Sequence, residues 1–278
     1  MHSPSKLNVK VFADGADLAS ILTLARNPLV KGFTTNPTLM RQAGIRNYES
    51  FARQVLEQIP DRPISFEVFS DEFEEMEHQA RLMASWGENV YVKIPVTNTR
   101  GESANDLLRS LASQGVKMNV TALMTLPQVR STVSVLADAP HCYISVFAGR
   151  IADTGRDPVP LMSAALNMMR PHKHLDLIWA SPREVLNVVQ ASQIGCHVIT
   201  VTPDLLKKLP LLGKNLAEFS LDTVRMFFND AQTAGFTLET ASIRNLALAL
   251  EKSTSPAVSD AAQAEQETVR VPVEIRRK

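Results

Sequence analysis

Val90-Tyr91-Val92-Lys93-Ile94-Pro95-Val96-Thr97 is a short β-branched and aromatic run with a proline near its end, and it reads as a buried strand. A strand covered on both faces is a near-continuous apolar run, and such strands belong to parallel sheets flanked by helices. One lysine, Lys93, interrupts this one. A buried, unpaired ammonium is costly enough that the group tends to give up its proton. A neutral lysine is a nucleophile that forms Schiff bases with carbonyls. The plainer reading is that Lys93 pairs with a carboxylate or runs its ammonium to the sheet edge.

Working outward, short apolar runs of the same kind recur: Asn8–Ala13, Lys31–Thr34, Ile64–Val68, Lys117–Val120, Cys142–Val146, Leu175–Trp179 and His197–Val201. Helical patterns separate them. Asp17 can cap a helix over Leu18–Ala25, and helical stretches follow through Arg41 and over Tyr48–Gln58. Asp71–Trp86 has helical spacing, as do Ser103 or Asn105 to Gln114, Leu126–Ala137 and Leu161–Met169. Pro182 is read as opening a helix to Ile194 that Gly195 closes, and Pro203 begins a short helix to Leu209. Eight strands alternating with helices predict an α/β fold, a (β/α)8 TIM barrel, over an open doubly wound sheet; no GxGxxG follows the first strand. Leu216–Asp230 and Leu238–Leu250 add C-terminal helices. The expected domains are a catalytic barrel with these helices over 1–252 and a flexible tail over 253–278, where composition turns to Ser, Pro, Ala, Glu and Gln. A weak edge strand at Val271–Ile275 is the one element read in the tail.

The chain has 278 residues, 29 Lys+Arg and 29 Asp+Glu. A zero net charge argues against nucleic acid or a membrane surface as partner. Cys142 and Cys196 form neither a disulfide framework nor a zinc motif, so a reducing cytoplasm is the expected setting. Met1–Lys10 lacks an apolar signal core, and no run approaches the ~18 apolar residues of a membrane span. The six histidines show no metal spacing, with His172 and His174 expected in a solvated loop, and Trp179 is expected to pack.

In such a barrel the active site forms at the carboxyl ends of the strands. The first strand is followed by Asp14 and the second by Thr34, Thr35 and Asn36. The third carries Glu67 and the fourth Lys93. The fifth gives Asn119 and Thr121, and the sixth Ser145, Phe147 and Arg150. An amine, two carboxylates, hydroxyls and amides suit carbonyl chemistry on a polyhydroxylated substrate. Each also has a structural reading. Asp14 can merely cap a turn, Asn36-Pro37 can be an ordinary turn, and Glu67 can form an ion pair with Lys93. Asn119 and Thr121 can simply satisfy backbone groups, and Arg150 can lie at the surface.

Four collinear segments resemble the transaldolase family, including its fructose-6-phosphate aldolase branch: Phe33-Thr34-Thr35-Asn36-Pro37-Thr38, Val92–Thr97, Asn119-Val120-Thr121 and Ile144–Ile151. The resemblance spans about residues 8–235. It implies a Schiff-base mechanism without cofactor or metal, with Lys93 as nucleophile. It implies Asp14 as the acid/base for C3–C4 cleavage, and Glu67 as a proton relay through a water and Thr121. Thr34, Asn36, Asn119 and Ser145 would position the dihydroxyacetone unit, with Phe147 and Arg150 completing the site. Glu67 and Phe147 match the transaldolases, where the aldolase branch tends to carry glutamine and tyrosine. A phenylalanine cannot donate a proton to the carbanion–enamine before the acceptor arrives. One departure stands out: the family's Ser-Phe-Arg or Ser-Phe-Lys after the seventh strand is replaced by Ile178-Trp179-Ala180, then Ser181-Pro182-Arg183. Either Arg183 supplies the second phosphate contact, or the distal end of the substrate differs.

The expected activity is therefore transfer of a dihydroxyacetone unit between a ketose phosphate and an aldose phosphate. The rivals are an aldolase releasing free dihydroxyacetone and a non-catalytic sugar-phosphate-binding barrel. The expected partners are small sugar phosphates and further copies of the chain.

Overall fold

Eight parallel strands pair in chain order and the eighth returns to the first, closing the barrel. The computed structural model describes residues 7–238, together with Leu246 and Leu250. β1 (Lys10–Asp14) leads through α1 (Leu18–Ala25) to β2 (Val30–Thr34). Two helices, α2 (Pro37–Gln42) and α3 (Tyr48–Gln58), precede β3 (Ile64–Glu67). α4 (Phe73–Ala84), β4 (Val90–Pro95), α5 (Asn105–Ser113), β5 (Met118–Leu123), α6 (Leu126–Val135) and β6 (Cys142–Val146) alternate regularly. α7 (Ala148–Asp153) and α8 (Val159–Met169) then come before β7 (Leu175–Trp179), α9 (Val185–Gln193), β8 (Val198–Val201) and α10 (Pro203–Lys208). A 3-10 turn over Leu209–Leu211 follows, and then α11 (Leu216–Thr233).

The fold and most element bounds follow the sequence reading. Asp17 caps α1 as expected, accepting from the Ser20 N–H at 2.8 Å. Two differences matter, in α7 and α9. α7, one and a half turns long, was not expected as a helix. α9 begins at Val185 rather than Pro182, because Ser181 takes a left-handed backbone, φ 60°, and Glu184 becomes the cap. The expected helix Leu238–Leu250 falls outside the described residues except at Leu238, Leu246 and Leu250, and the tail over 253–278, with its strand, falls outside them entirely.

The chain divides into two compact units, residues 1–214 and 215–278. In the second, α11 is capped by Asn215 and buries none of its residues. No helix among the described residues is long and apolar enough to cross a membrane.

Inside the barrel the strand pleat sets two layers. Phe12, Tyr91, Tyr143, Ile178 and Val198 form an apolar plug, with Phe12 edge-on to Tyr143 at 5.5 Å between ring centres. The Phe12 ring lies over Gly32, where any side chain would strike it. Side chains recur on one face every second residue. Two positions further along the same strands stand Asp14, Lys93, Ser145, Ala180 and Thr200, and Thr34 holds the same place beyond Gly32. The plug is the floor of the site and this layer is its wall. The ring of strands is not uniform: β2–β3 pair only at Phe33–Ile64 and Thr34–Ser65, and β7–β8 only at Ile178–Val198 and Trp179–Ile199.

Candidate active site

Lys93 is 7% exposed, and its Nζ lies 3.0 Å from Glu67 Oε2 and 3.3 Å from the Thr35 carbonyl oxygen. Register explains the pairing, since Glu67 and Lys93 are direct neighbours on β3 and β4. The carboxylate pairing weighed from sequence is thus the observed one, and Lys93 is not a lone buried cation. A carboxylate at 3.0 Å is also a place for the ammonium proton to go, so the same contact serves structure and chemistry.

Asp14 stands at the end of β1. Burial raises its carboxyl above the usual range; the Lys93 charge and a 2.9 Å hydrogen bond from Thr34 Oγ1 pull the other way, and Glu67 adds to the rise. A carboxyl whose surroundings favour its protonated form is suited to take up and release a proton during a reaction.

Thr121 Oγ1 is buried without a hydrogen-bond partner among the described residues, and it lines the pocket. An orphaned buried hydroxyl at a pocket wall calls for a water or a substrate group. Its placement has a backbone cause. The β5–β6 register slips between Val120 and Leu123, and Ala122 takes a left-handed backbone, φ 65°. Such bulges re-aim side chains next to active sites.

Asn119 is fully buried and its side chain is engaged on both ends, donating to Ser65 Oγ at 2.9 Å and accepting from Ser145 Oγ at 2.7 Å. It does not line the pocket, which makes it a brace for Ser145, which does. Asn36 lines the pocket too. Its side-chain oxygen caps α2 through the Leu39 N–H at 2.9 Å, so its amide NH2 is what remains for a substrate.

The pocket has two lobes that share Asp14, Asn36, Lys93, Thr121 and Phe147. The narrower lobe runs toward β7 and β8 and ends on Ser181, Pro182, Arg183, Thr200 and Thr202. The other runs past Glu67 to Gln42, Met124 and Arg150. Arg150 is exposed, and its guanidinium lies over the Phe147 ring at 5.5 Å. Arg183 is held differently. Its Nε donates to Asp153 Oδ1 at 3.0 Å and its Nη2 to Asp153 Oδ2, a two-pronged clasp that lowers the Asp153 carboxyl and raises the guanidinium. The loop carrying it is seated on α7: the Gly149 N–H donates to the Ala180 carbonyl at 3.3 Å, and a side chain at 149 would collide with the Ser181 carbonyl.

All ten residues read from the sequence as site candidates gather at this end of the barrel, Asn119 behind the wall and the other nine on it. The sequence reading missed Ser65, Thr200, Thr202 and Tyr48. The Tyr48 hydroxyl donates to the Glu67 carbonyl at 2.9 Å and accepts from the Glu67 N–H at 2.8 Å.

Residues 11–260 match the family model described as Transaldolase/Fructose-6-phosphate aldolase. The chain is 35% identical over 218 residues to a protein named "Probable transaldolase" from Streptococcus equi subsp. zooepidemicus, covering 77% of this chain and 97% of that one. It is 31% identical over 218 residues to a "Probable transaldolase" from Dehalococcoides mccartyi, with the same coverage of 77% and 97%. Among solved structures, a dihydrodipicolinate synthase from Rhodopseudomonas palustris superposes with a TM-score of 0.52 at 14% identity, over 95% of this chain and 94% of that one. That last likeness concerns the fold alone.

Proposed function

Because the chain belongs to the transaldolase/fructose-6-phosphate aldolase family, we propose that it is a transaldolase, moving a dihydroxyacetone unit from a ketose phosphate such as fructose 6-phosphate or sedoheptulose 7-phosphate to an aldose phosphate. The observation that carries the proposal is the triad of Lys93, Glu67 and Asp14 at the strand ends, with Lys93 Nζ 3.0 Å from Glu67 and Asp14 raised by burial.

The ammonium passes its proton to Glu67, and the freed Lys93 amine attacks the ketose C2 carbonyl. Glu67 returns a proton, through a water held by Thr121, to the departing C2 hydroxyl, which leaves as water and gives the Schiff base. Asp14 takes the proton of the C4 hydroxyl. The C3–C4 bond breaks, an aldose leaves, and its electron pair stays on the Lys93-bound three-carbon unit as an enamine. The enamine C3 then bonds the acceptor aldehyde carbon while Asp14 gives its proton to the new hydroxyl. Water hydrolyses the Schiff base and frees Lys93. Ser145 and Asn36 hold the hydroxyls of the three-carbon unit, and Arg150 meets the phosphate. Phe147 offers no proton to the enamine, which favours transfer over release.

Borohydride reduction in the presence of fructose 6-phosphate should trap a covalent adduct that maps to Lys93. Lys93→Ala should form none and lose turnover by many orders of magnitude. An adduct elsewhere, or a Lys93→Ala variant keeping more than a few per cent of turnover, overturns the proposal. Product analysis with and without erythrose 4-phosphate separates transfer from release of free dihydroxyacetone.

A further inference from the structure

After Thr34, β2 leaves the sheet to enter α2, and its last main-chain bond to β3 is Thr35 N–H to the Ser65 carbonyl at 3.0 Å. Successive residues of a strand aim their backbone polar groups at opposite neighbours. Ser65 faces β2, while the Val68 N–H reaches the Lys93 carbonyl on β4 at 3.1 Å. The N–H and C=O of Glu67 therefore face the place β2 has vacated. Backbone groups left in that position are either paired some other way or costly.

Tyr48, at the first position of α3, fills the vacancy. Its one oxygen donates to the Glu67 carbonyl at 2.9 Å and accepts from the Glu67 N–H at 2.8 Å. A phenol can do both at once, which neither a carbonyl nor an ammonium can. The hydroxyl thus substitutes for a missing strand residue. The ring is itself held, packed against Phe66, Phe69 and Trp86 at 5.5–6.3 Å between centres. Burial pushes the phenol well above its ordinary value, so the donor proton stays in place.

We infer that Tyr48 is a positioning residue for the reaction: by bonding both backbone groups of Glu67, it fixes the carboxylate that exchanges protons with Lys93. The inference rests on the Schiff-base reading of Lys93 and Glu67. Tyr48 lines neither pocket lobe. Its hydroxyl also meets the Thr35 side chain, but both backbone bonds go to Glu67, at the point where the sheet gives that residue least support.

Tyr48→Phe keeps the ring and removes the hydroxyl, which makes it the informative change. We expect kcat to fall about tenfold to a hundredfold, below the ~10²–10⁴ that a whole proton-transfer group contributes, since the group itself remains. KM for fructose 6-phosphate should stay within about twofold, since the groups that hold substrate are untouched. The rate of borohydride-trappable adduct formation at Lys93 should fall in step with kcat. In the Glu67→Gln background the same change should add less than about twofold, because residues acting through one another are not additive. Melting temperature is followed alongside. A Tyr48→Phe variant with lowered melting temperature but unchanged kcat and trapping rate overturns the inference, as does a full multiplicative loss in the double variant. If wild-type protein gives no Lys93 adduct, it is the Schiff-base reading that fails. If the adduct forms at the same rate in wild type and Tyr48→Phe, only the role of Tyr48 fails.

Discussion

Lys93 and Glu67 are each other's answer to burial, and this makes either one alone a liability. Glu67→Gln keeps the shape and removes the proton acceptor, so turnover should fall by ~10²–10⁴. Comparable transfer rates in the variant and wild type would leave Glu67 only its structural part. The two arginines should behave unequally. Arg150 is exposed and stacked on Phe147, whereas Arg183 is clasped by Asp153. Arg150→Ala should raise KM for phosphorylated donors about ten- to a hundredfold, the equivalent of the ~1.5–3 kcal/mol of a hydrogen bond to a charged group. It should hardly affect free dihydroxyacetone. Arg183→Ala should show a smaller phosphate-selective defect, since Asp153 already offsets its charge. Kinetics on paired phosphorylated and unphosphorylated substrates decide both, and equal defects on the two would remove the phosphate-anchor role from Arg150.

Among the elements, the loop after β7 is the one the sequence hid. Pro182 is an ordinary helix opener, and nothing marks Ser181 for a left-handed backbone, which glycine usually supplies. α7 is too short to show a helical period. By contrast the strands, as β-branched runs between turn residues, were legible almost to the residue, and so was the gathering of the candidate residues at their ends. The strand-end rule, carried to the eighth strand, also reaches Thr200 and Thr202; the hydroxyls themselves give no signal, because threonine is a common strand residue. Tyr48 left no local trace, since its role exists only because β2 departs from the sheet. Gly149 tests the buried joint between α7 and this loop. Gly149→Ala places a methyl group against the Ser181 carbonyl, and overpacking of that kind costs about 1–3 kcal/mol. The variant should melt lower and turn over more slowly, although the lost hydrogen touches no substrate. An unaltered melting curve would show that the loop can retreat freely.

For the molecule as a whole, the amino-terminal end of the barrel carries a charge cluster around Asp176. Lys10 Nζ and His141 Nε2 each lie 3.4 Å from its Oδ2, and His197 Nδ1 lies 3.8 Å from its Oδ1, so residues beside four strands meet there. Burial alone would raise the Asp176 carboxyl. The hydrogen bond with His141 and the charges of Lys10, His197 and His141 outweigh it and hold the carboxyl below its usual value. His197 is shifted down, first by burial and against the pull of Asp176, and its Nδ1 accepts the Leu177 N–H at 2.8 Å. A protonated imidazole cannot accept that bond. The unfolded chain therefore binds the proton first, so His197 costs no stability above about pH 6.5 and destabilises the fold as pH falls below it. Melting temperature should drop between about pH 6.5 and 5, and His197→Gln should flatten that slope. A slope of equal steepness in the variant would assign it to other groups. The Asp176 contribution belongs to a lower window: it is present above the ordinary aspartate range and lost only as pH falls through the depressed value.

A closed hoop of staves is only as tight as its shortest joints. β2 and β3 meet over Phe33–Ile64 and Thr34–Ser65 alone, a joint as short as that of β7 and β8, and Thr34, Asn36 and Glu67 all sit beside it. Breathing of the hoop should begin there, so the Thr35 amide should lose its deuterium protection sooner than amides of the longer β6–β7 joint. A substrate spanning from Asn36 to Lys93 would act as a clamp across the gap, slowing that exchange locally while leaving the opposite side of the ring unchanged.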